Sequence, residues 1–229
     1  ESGLSADERK EVRAKMEGEG LAICCIASGA RMAVPDLEER AEHVEDLRQY
    51  IDLAADLGCE MVRVFGGVRD RGEELIATAD YVADGFMQVL DHAADRDVLL
   101  LLETHDDWCA SAPVRAVVEL VGHPNLKVLW DFMHSQRMLE KPEESFQILG
   151  EYTHHTHAHD GQIIDGKLQV SGTLGSGIFD HEIPLRLLSE AGYSGYFSVE
   201  VIHKPGSEHN ADAVLAQYAE QFQAIMAGF

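Results

Sequence analysis

The sequence predicts a parallel α/β barrel, built from strands that alternate with helices along the chain. Short apolar runs bounded by turn residues recur, and longer stretches with apolar residues at helical spacing lie between them. The run Val98–Glu103 (VLLLLE) is continuously apolar, which is typical of a strand covered on both faces in a parallel sheet. At 229 residues the chain has the length of one such domain, so we predict a single barrel domain over residues 1–229.

The predicted strands are seven, one fewer than a closed eight-stranded barrel needs, and a charged helical segment ending near Gly18 precedes the first. The barrel is therefore expected to lack its first strand within this sequence, or else to be open or completed in a different way. In chain order the predicted strands are Leu21–Ala27, Met61–Phe65, Val98–Glu103, Lys127–Asp131, Tyr152–His159, Leu168–Leu174 and Tyr196–Val201. The helices predicted between and after them cover residues 36–57, 73–95, 113–121, 142–150, 183–191 and 212–226.

The charge balance is strongly acidic. Lys plus Arg number 18 and Asp plus Glu number 41, which gives a net charge of −23 with His neutral. Such a surface repels nucleic acid and anionic membranes, because binding of phosphate depends on Lys and Arg. No apolar run reaches the ~20 residues of a membrane span, and the first residues lack the apolar core of a signal peptide. We therefore expect neither a nucleic-acid nor a membrane partner.

The cysteines indicate a reducing compartment. Cys24, Cys25, Cys59 and Cys109 form no CxxC pair and no zinc-finger spacing. Cys24 and Cys25 are adjacent in an apolar run, where we predict buried free thiols. Together with the missing signal peptide, this predicts a cytoplasmic protein.

Carboxylates and imidazoles follow four of the predicted strands. Glu103 ends one strand, Asp131 ends the next, the histidine-rich run at residues 154–159 ends a third, and Glu200 lies beside the end of the last. Active sites of parallel barrels lie at the carboxyl ends of the strands. Carboxylates crowded at that rim repel one another unless a cation is bound. The sequence therefore predicts a metal site at this rim.

The histidine-rich strand supplies one ligand rather than three. With a two-residue period, His155, His157 and His159 share one face, and neighbours on that face are roughly 6.5–7 Å apart, too far for one ion to bind all of them. One imidazole with three carboxylates forms an oxygen-rich site that suits one Mn²⁺, Mg²⁺ or Co²⁺ ion, and Zn²⁺ is also compatible. A metal bridging the hydroxyl and carbonyl oxygens of an α-hydroxy ketone acidifies the C–H bond between them. Carboxylates on either side of that carbon can remove and return the proton.

The ordered set of segments resembles the xylose isomerase-like TIM barrels, the sugar phosphate isomerase/epimerase superfamily. The resemblance extends over nearly the whole chain, and no single segment is decisive. The segments are GLSADERKEVRAKMEGEGLAI, GCEMVRVFGG, VLLLLETH, VLWDFMH, THHTHAHD and LGSGIFDHEIPLRLLSEAGYSGYFSVE.

The resemblance implies roles for individual residues. Glu103, Asp131 and Glu200 become metal ligands, with Glu103 and Glu200 also acting as the opposed acid and base. The family's ligand histidine stands in a His-x-x-Asp unit, which selects His157, three residues before Asp160. The remaining site residues are implied contacts with a small sugar or polyol substrate: His134, His105, Arg63 and His159. The alternative for Arg63 is a buried ion-pair partner. Family members often carry Lys where His159 stands, so this contact departs from the pattern.

Three other functions use the same residues differently. Dehydration of an inosose or keto-sugar would share the metal and the proton abstraction, and the sequence does not separate it from isomerisation. A non-catalytic sugar-binding module would keep the metal for structure. An apurinic endonuclease of the related barrel family would need further His and Asp ligands and a DNA-binding face, which the charge of −23 disfavours. By analogy with such barrels, a homo-oligomer is expected.

Overall fold

A computed structural model describes residues 3–171, 173–201 and 210–229 of the chain, and for Ser171 it describes the backbone alone. The chain divides into two compact units, residues 1–129 and residues 130–229, and the boundary falls inside the fourth strand. The prediction of one domain over residues 1–229 stays a prediction. Within the described residues, no helix combines the length and the apolar character needed to cross a membrane.

The first unit is a run of parallel strands joined by helices. The strands are β1 (Ile26–Arg31), β2 (Met61–Phe65), β3 (Leu99–Glu103) and β4 (Leu126–Asp131), and each pairs in parallel with the next along the chain. The helices are α1 (Ala6–Gly18), α2 (Leu37–Leu57), α3 (Leu75–Met87), α4 (Leu90–Asp95) and α5 (Ser111–Val121), and a 3₁₀ turn covers Asp106–Trp108. Successive strand–helix units of this kind bury the sheet under helices.

The second unit combines parallel strands with an antiparallel hairpin. Its strands are β5 (Thr153–Ala158), β6 (Asp160–Ile164), β7 (Lys167–Ser171) and β8 (Phe197–Val199). Strand β5 pairs in parallel with β8, whereas β6 and β7 form the antiparallel hairpin. The helices are α6 (Phe132–Arg137), α7 (Pro142–Leu149), α8 (Glu182–Glu190) and α9 (Ala211–Met226), and a 3₁₀ turn covers Gly150–Tyr152.

The apolar runs of the sequence form the cores of the strands. In β2, Val62 and Val64 are fully buried and alternate with half-buried Arg63. In β3 every residue from Leu100 to Glu103 is buried, as expected for a strand covered on both faces. All four cysteines are free thiols, with Cys59 and Cys109 buried and Cys24 and Cys25 half-buried.

Three predicted elements differ from the structure by more than two residues. Strand β1 covers Ile26–Arg31 rather than Leu21–Ala27, because pairing with β2 begins at Ile26, opposite Val62. The helix predicted over residues 73–95 divides after Met87, because Val89 leaves helical geometry at φ −126° and its side chain is fully buried. The strand predicted over Leu168–Leu174 is the second arm of the hairpin, and residue 172 of that range lies outside the described residues.

Helix α2 begins with a side-chain cap. Oδ1 of Asp36 accepts hydrogen bonds from the backbone N–H groups of Glu38 and Glu39 at 3.0 and 2.9 Å. We expect Asp36→Ala to lower the free energy of unfolding by about 1 kcal/mol, measured by urea denaturation, because two N–H groups lose their acceptor. Asp36→Asn keeps the side-chain oxygen and is the matched control. Equal losses in the two variants would assign the effect to the charge instead.

Candidate functional site

Three carboxylates lie where strands end. Glu103 is the last residue of β3 and Asp131 the last residue of β4, and both side chains are buried. Glu200 follows β8, and its backbone N–H continues the parallel ladder by donating to the carbonyl of Ala158 at 3.0 Å. The carboxyl ends of the strands therefore carry the acidic groups that the sequence analysis selected.

In the first unit, Glu103 lies beside a stacked arginine. Nε of Arg63 is 3.3 Å from Oε2 of Glu103, and the guanidinium lies 3.7 Å over the ring of Phe65. The same ring is 4.6 Å from that of His105, whose Nδ1 lies 3.0 Å from Oδ1 of Asp106. The structure thus groups the predicted residues Arg63, Glu103 and His105. The arginine supplies the positive charge that a buried carboxylate requires.

In the second unit, Asp131 uses its two oxygens differently. Oδ1 accepts hydrogen bonds from the backbone N–H groups of Met133 and His134 at 2.9 and 3.2 Å, which caps helix α6. Oδ2 lies 2.8 Å from Nε2 of His159 and 3.7 Å from Nε2 of His134. Burial alone would raise the pKa of Asp131, but the contact with His159 and the charges of His134 and His159 lower it to about 2. The carboxylate is therefore ionised at neutral pH.

His157 and Glu200 form the second close pair of this unit. Nδ1 of His157 lies 3.0 Å from Oε2 of Glu200. Burial would raise the pKa of Glu200, but the contact with His157 and its charge lower it. On the same face of the strand, Nε2 of His155 forms a 2.8 Å hydrogen bond with Oγ of Ser198. The pKa of His155 is lowered to about 4, mainly by burial and to a smaller extent by the charge of His157. His155 is therefore neutral and bound to its own partner.

These side chains fit a divalent metal ion. Asp131, His157 and Glu200 each place a ligand atom within 4.8 Å of the others. Oε2 of Glu200 is buried 3.0 Å from Nδ1 of His157, and a carboxylate oxygen in that position retains a lone pair for a cation. Asp131, His134 and His159 form a second group with the same spacing limit, and all three are buried. Two carboxylates with one imidazole make a hard donor set for Mn²⁺, Mg²⁺ or Co²⁺, and Zn²⁺ accepts it too.

Asp160 anchors the loop that leads into helix α8. Its Oδ2 accepts hydrogen bonds from the N–H groups of Gly175 and Gly177 at 2.9 and 2.8 Å, and its Oδ1 accepts from Gly161 and Phe179 at 2.8 and 3.4 Å. A Cβ at Gly177 would lie 2.0 Å from Oδ1 of Asp160, so this loop packs directly on the carboxylate. Sequence reasoning used Asp160 only to select His157 and missed this function.

Arg137 is a second residue that the sequence analysis missed. Its Nη1 lies 3.2 Å from Nδ1 of His134, three residues earlier on α6. The signal was present in the spacing, because residues three apart on a helix are neighbours. It was overlooked because no helix was predicted over Phe132–Arg137.

Two solved structures have a similar fold. The IOLI protein crystallised with a bound zinc atom matches with a TM-score of 0.85 at 16% identity, over 99% of this chain and 83% of its own. The 3-keto-D-glucoside 4-epimerase YcjR from E. coli matches with a TM-score of 0.79 at 16% identity, over 95% of this chain and 85% of its own. These similarities confirm the predicted fold, the TIM barrel of the xylose isomerase-like type.

A curated relative matches part of the chain. The 3-dehydroshikimate dehydratase of Bacillus anthracis is 26% identical over 117 residues, which are 50% of this chain and 41% of the relative. The chain therefore matches less than half the length of that dehydratase.

The family comparison covers almost the full sequence. The family described as "Xylose isomerase-like TIM barrel" matches residues 2–223. This confirms the resemblance that the ordered segments of the sequence indicated. The chain belongs to the xylose isomerase-like TIM barrel family.

Proposed function

We propose that this chain is a metal-dependent sugar isomerase or epimerase, with one divalent ion held by Glu103, Asp131, His157 and Glu200. The observation that carries the proposal is the convergence of ligand atoms from Asp131, His157 and Glu200 within 4.8 Å of one another. Glu103 is included in the proposed ligand set because of its position in the sheet. It ends β3 opposite Leu129, two residues before Asp131 along β4.

The bound metal would polarise the carbonyl of an α-hydroxy ketone and acidify the adjacent C–H bond. Glu103 and Glu200 would act as the acid and base that move the proton, because carboxylates with access to both sides of one carbon can remove and return it. The contact with His157 lowers the pKa of Glu200, so its carboxylate is ionised at neutral pH, the form that a base requires. His134, His105, Arg63 and His159 would contact the hydroxyl and carbonyl oxygens of the substrate. We propose a ketose, sugar phosphate or related polyol-ketone.

Two names among the relatives support this class of substrate. YcjR is named as an epimerase of a keto-glucoside. The curated relative is named as a dehydratase, which favours dehydration of an inosose or keto-sugar as the second candidate function. Both reactions begin by removing the proton of the activated C–H bond; epimerisation or isomerisation returns a proton to carbon, whereas dehydration expels the neighbouring hydroxyl group as water. Incubation with ketoses and inososes in D₂O, followed by mass spectrometry, separates them, since deuterium uptake without loss of water indicates isomerisation or epimerisation.

The metal site is tested by elemental analysis. We expect about one Mn, Co, Mg or Zn ion per chain in protein purified without chelator, and its loss in His157→Gln, because the variant removes a ligand atom. His154→Gln is the matched control, since His154 contacts the carbonyl of Tyr152 and belongs to neither ligand group. A parent protein that holds no metal, even after reconstitution with Mn²⁺, Co²⁺ and Zn²⁺, would contradict the proposal.

Three further expectations remain predictions at this point. They are a cytoplasmic location, a homo-oligomeric state and the absence of a nucleic-acid partner. The acidic composition, with a net charge of −23, is the reason for the last of these.

A further inference from the structure

The hairpin of β6 and β7 forms a two-stranded sheet of its own within the described residues. Asp165 and Gly166 make its turn, and their positive φ values of 52° and 71° are those of a type I′ turn. In such a turn the carbonyl of Ile164 accepts a hydrogen bond from the N–H of Lys167, its partner in the register. An isolated two-stranded hairpin is only marginally stable in water, so a further strand would stabilise it.

The register decides which backbone groups of β7 point away from β6. Hydrogen-bonded and non-hydrogen-bonded pairs alternate along an antiparallel ladder. Lys167 bonds across to β6, and so does Gln169 two residues later. Leu168 and Val170 therefore direct their N–H and C=O groups away from β6. Among the residues that the structure describes, neither of them has a backbone hydrogen bond on that side, so β7 is an open edge strand.

The outer edge of β6, in contrast, is covered. The carbonyl of Gly161 accepts a hydrogen bond from the N–H of Ile178 at 2.9 Å. Nε2 of Gln162 donates to the carbonyl of Ser176 at 2.8 Å. The loop before α8 therefore lies along β6, and the edge that can accept another strand is that of β7.

One face of the hairpin is apolar. Ile163 lies opposite Leu168, and residues directly opposite one another share a face. Val170, two residues after Leu168, lies on the same face. Ile163 is 54% exposed and Val170 is 38% exposed. An open edge with exposed apolar side chains beside it is a template for pairing with a strand of another chain.

The charge of the hairpin favours a second copy of this chain as the partner. Residues 161–171 hold one acidic residue, Asp165, and one basic residue, Lys167, so the rest of the chain carries the whole net charge of −23. Two copies repel each other where acidic residues meet, and this repulsion is smallest at a neutral surface. A strongly basic partner would instead be attracted to the acidic residues elsewhere in the chain.

We propose that two copies of this chain pair through β7, antiparallel and related by a two-fold axis, so that their hairpins form one four-stranded sheet. Leu168 of one copy then lies opposite Val170 of the other, and the outward N–H and C=O groups of both residues bond across the new pair. The apolar faces of the two hairpins join, which buries surface that a single hairpin leaves exposed. The surface uses none of the proposed metal ligands, and the inference does not depend on the proposed function.

Sedimentation velocity over a range of protein concentrations tests the pairing. We expect the parent to form a dimer and Val170→Lys to raise the Kd of that dimer at least about tenfold, because the two-fold axis places the new charge in the strand pair twice. Ile76→Lys is the matched control, since Ile76 is 71% exposed on α3 and the same change of charge is made away from the hairpin. We expect the parental Kd in this control. A monomeric parent, or a parental Kd in Val170→Lys, would overturn the inference.

Amide hydrogen exchange of the parent gives a second readout that needs no substitution, and it decides the question if circular dichroism shows Val170→Lys to be unfolded. In the pair, the N–H groups of Leu168 and Val170 are bonded to the other copy, whereas in the monomer they face solvent. We expect their exchange to slow as the protein concentration rises through the Kd. The N–H of Gln169 is bonded to β6 in both states, so its exchange changes less. Fast exchange of Leu168 and Val170 at every concentration would leave this edge to another kind of chain and overturn the inference.

Discussion

Glu200→Gln is expected to lower the turnover of a ketose or inosose substrate by about 10²–10⁴-fold, the usual contribution of a general acid or base. The substitution keeps the shape of the side chain but removes the group that accepts the proton. It also replaces the negative partner that lies 3.0 Å from Nδ1 of His157. The measurement is the initial rate with substrate and metal both saturating, so that weaker metal binding does not mimic the loss.

The control for this substitution is Glu190→Gln. Glu190 is exposed at the end of α8 and pairs with Arg186 one turn earlier, so the same change of charge is made away from the strand ends. We expect parental turnover in this variant. Glu103→Gln is expected to behave as Glu200→Gln does. A parental rate in Glu200→Gln or Glu103→Gln, at full metal occupancy, would remove the acid/base roles from these carboxylates.

The bounds of a buried strand could be predicted from the sequence where the apolar run covers the same residues that pair with neighbouring strands. Met61–Phe65 has the predicted bounds, and β3 and β4 differ from their predicted starts by one residue. The predicted position of the first strand was wrong because β1, IASGAR, is built mostly from small residues that carry little apolar signal. Its position is fixed instead by contacts with β2, including the 2.6 Å hydrogen bond from Ser28 to the carbonyl of Arg63. Contacts of this kind depend on tertiary structure.

The hairpin had a local signal that the sequence analysis did not use. Asp165 and Gly166 both have positive φ, 52° and 71°, and an Asp-Gly pair between two short strands is a strong indicator of a tight hairpin turn. The predicted strand at Leu168–Leu174 covers only the second arm. The first arm, Asp160–Ile164, was hidden because it follows β5 after a single residue.

The candidate site was predictable in its ligands and not in its supporting residues. Carboxylates at strand ends can be identified from the sequence, because the apolar runs show where the strands end. Arg137 and Asp160 act through bonds to a histidine ring and to backbone N–H groups, and neither bond follows from residue type. Gln136 is a similar case, since its side-chain amide donates to the carbonyl of Asp180 and accepts from its N–H, both at 2.7 Å.

Asp160→Asn is expected to lower the free energy of unfolding by roughly 3 kcal/mol and the Tm by about 6–12 °C, measured by urea denaturation and calorimetry. Asp160 is fully buried, and its carboxylate accepts four backbone hydrogen bonds. Asparagine has one accepting oxygen, so its NH₂ group would face either the N–H groups of Gly175 and Gly177 or those of Gly161 and Phe179. Donors facing donors in the interior lose both partners.

Asp165→Asn is the matched control, because it removes the same charge from an exposed turn whose positive φ asparagine also adopts readily. We expect its stability to stay within about 0.5 kcal/mol of the parent. Gly177→Ala perturbs the same contact from the loop side, since its Cβ would lie 2.2 Å from the carbonyl oxygen of Gly161. If Asp160→Asn is as stable as Asp165→Asn, the carboxylate does not hold this loop. If it is destabilised as expected, β5 supplies the proposed ligand His157, and the first residue of β6, three residues later, anchors the loop before α8.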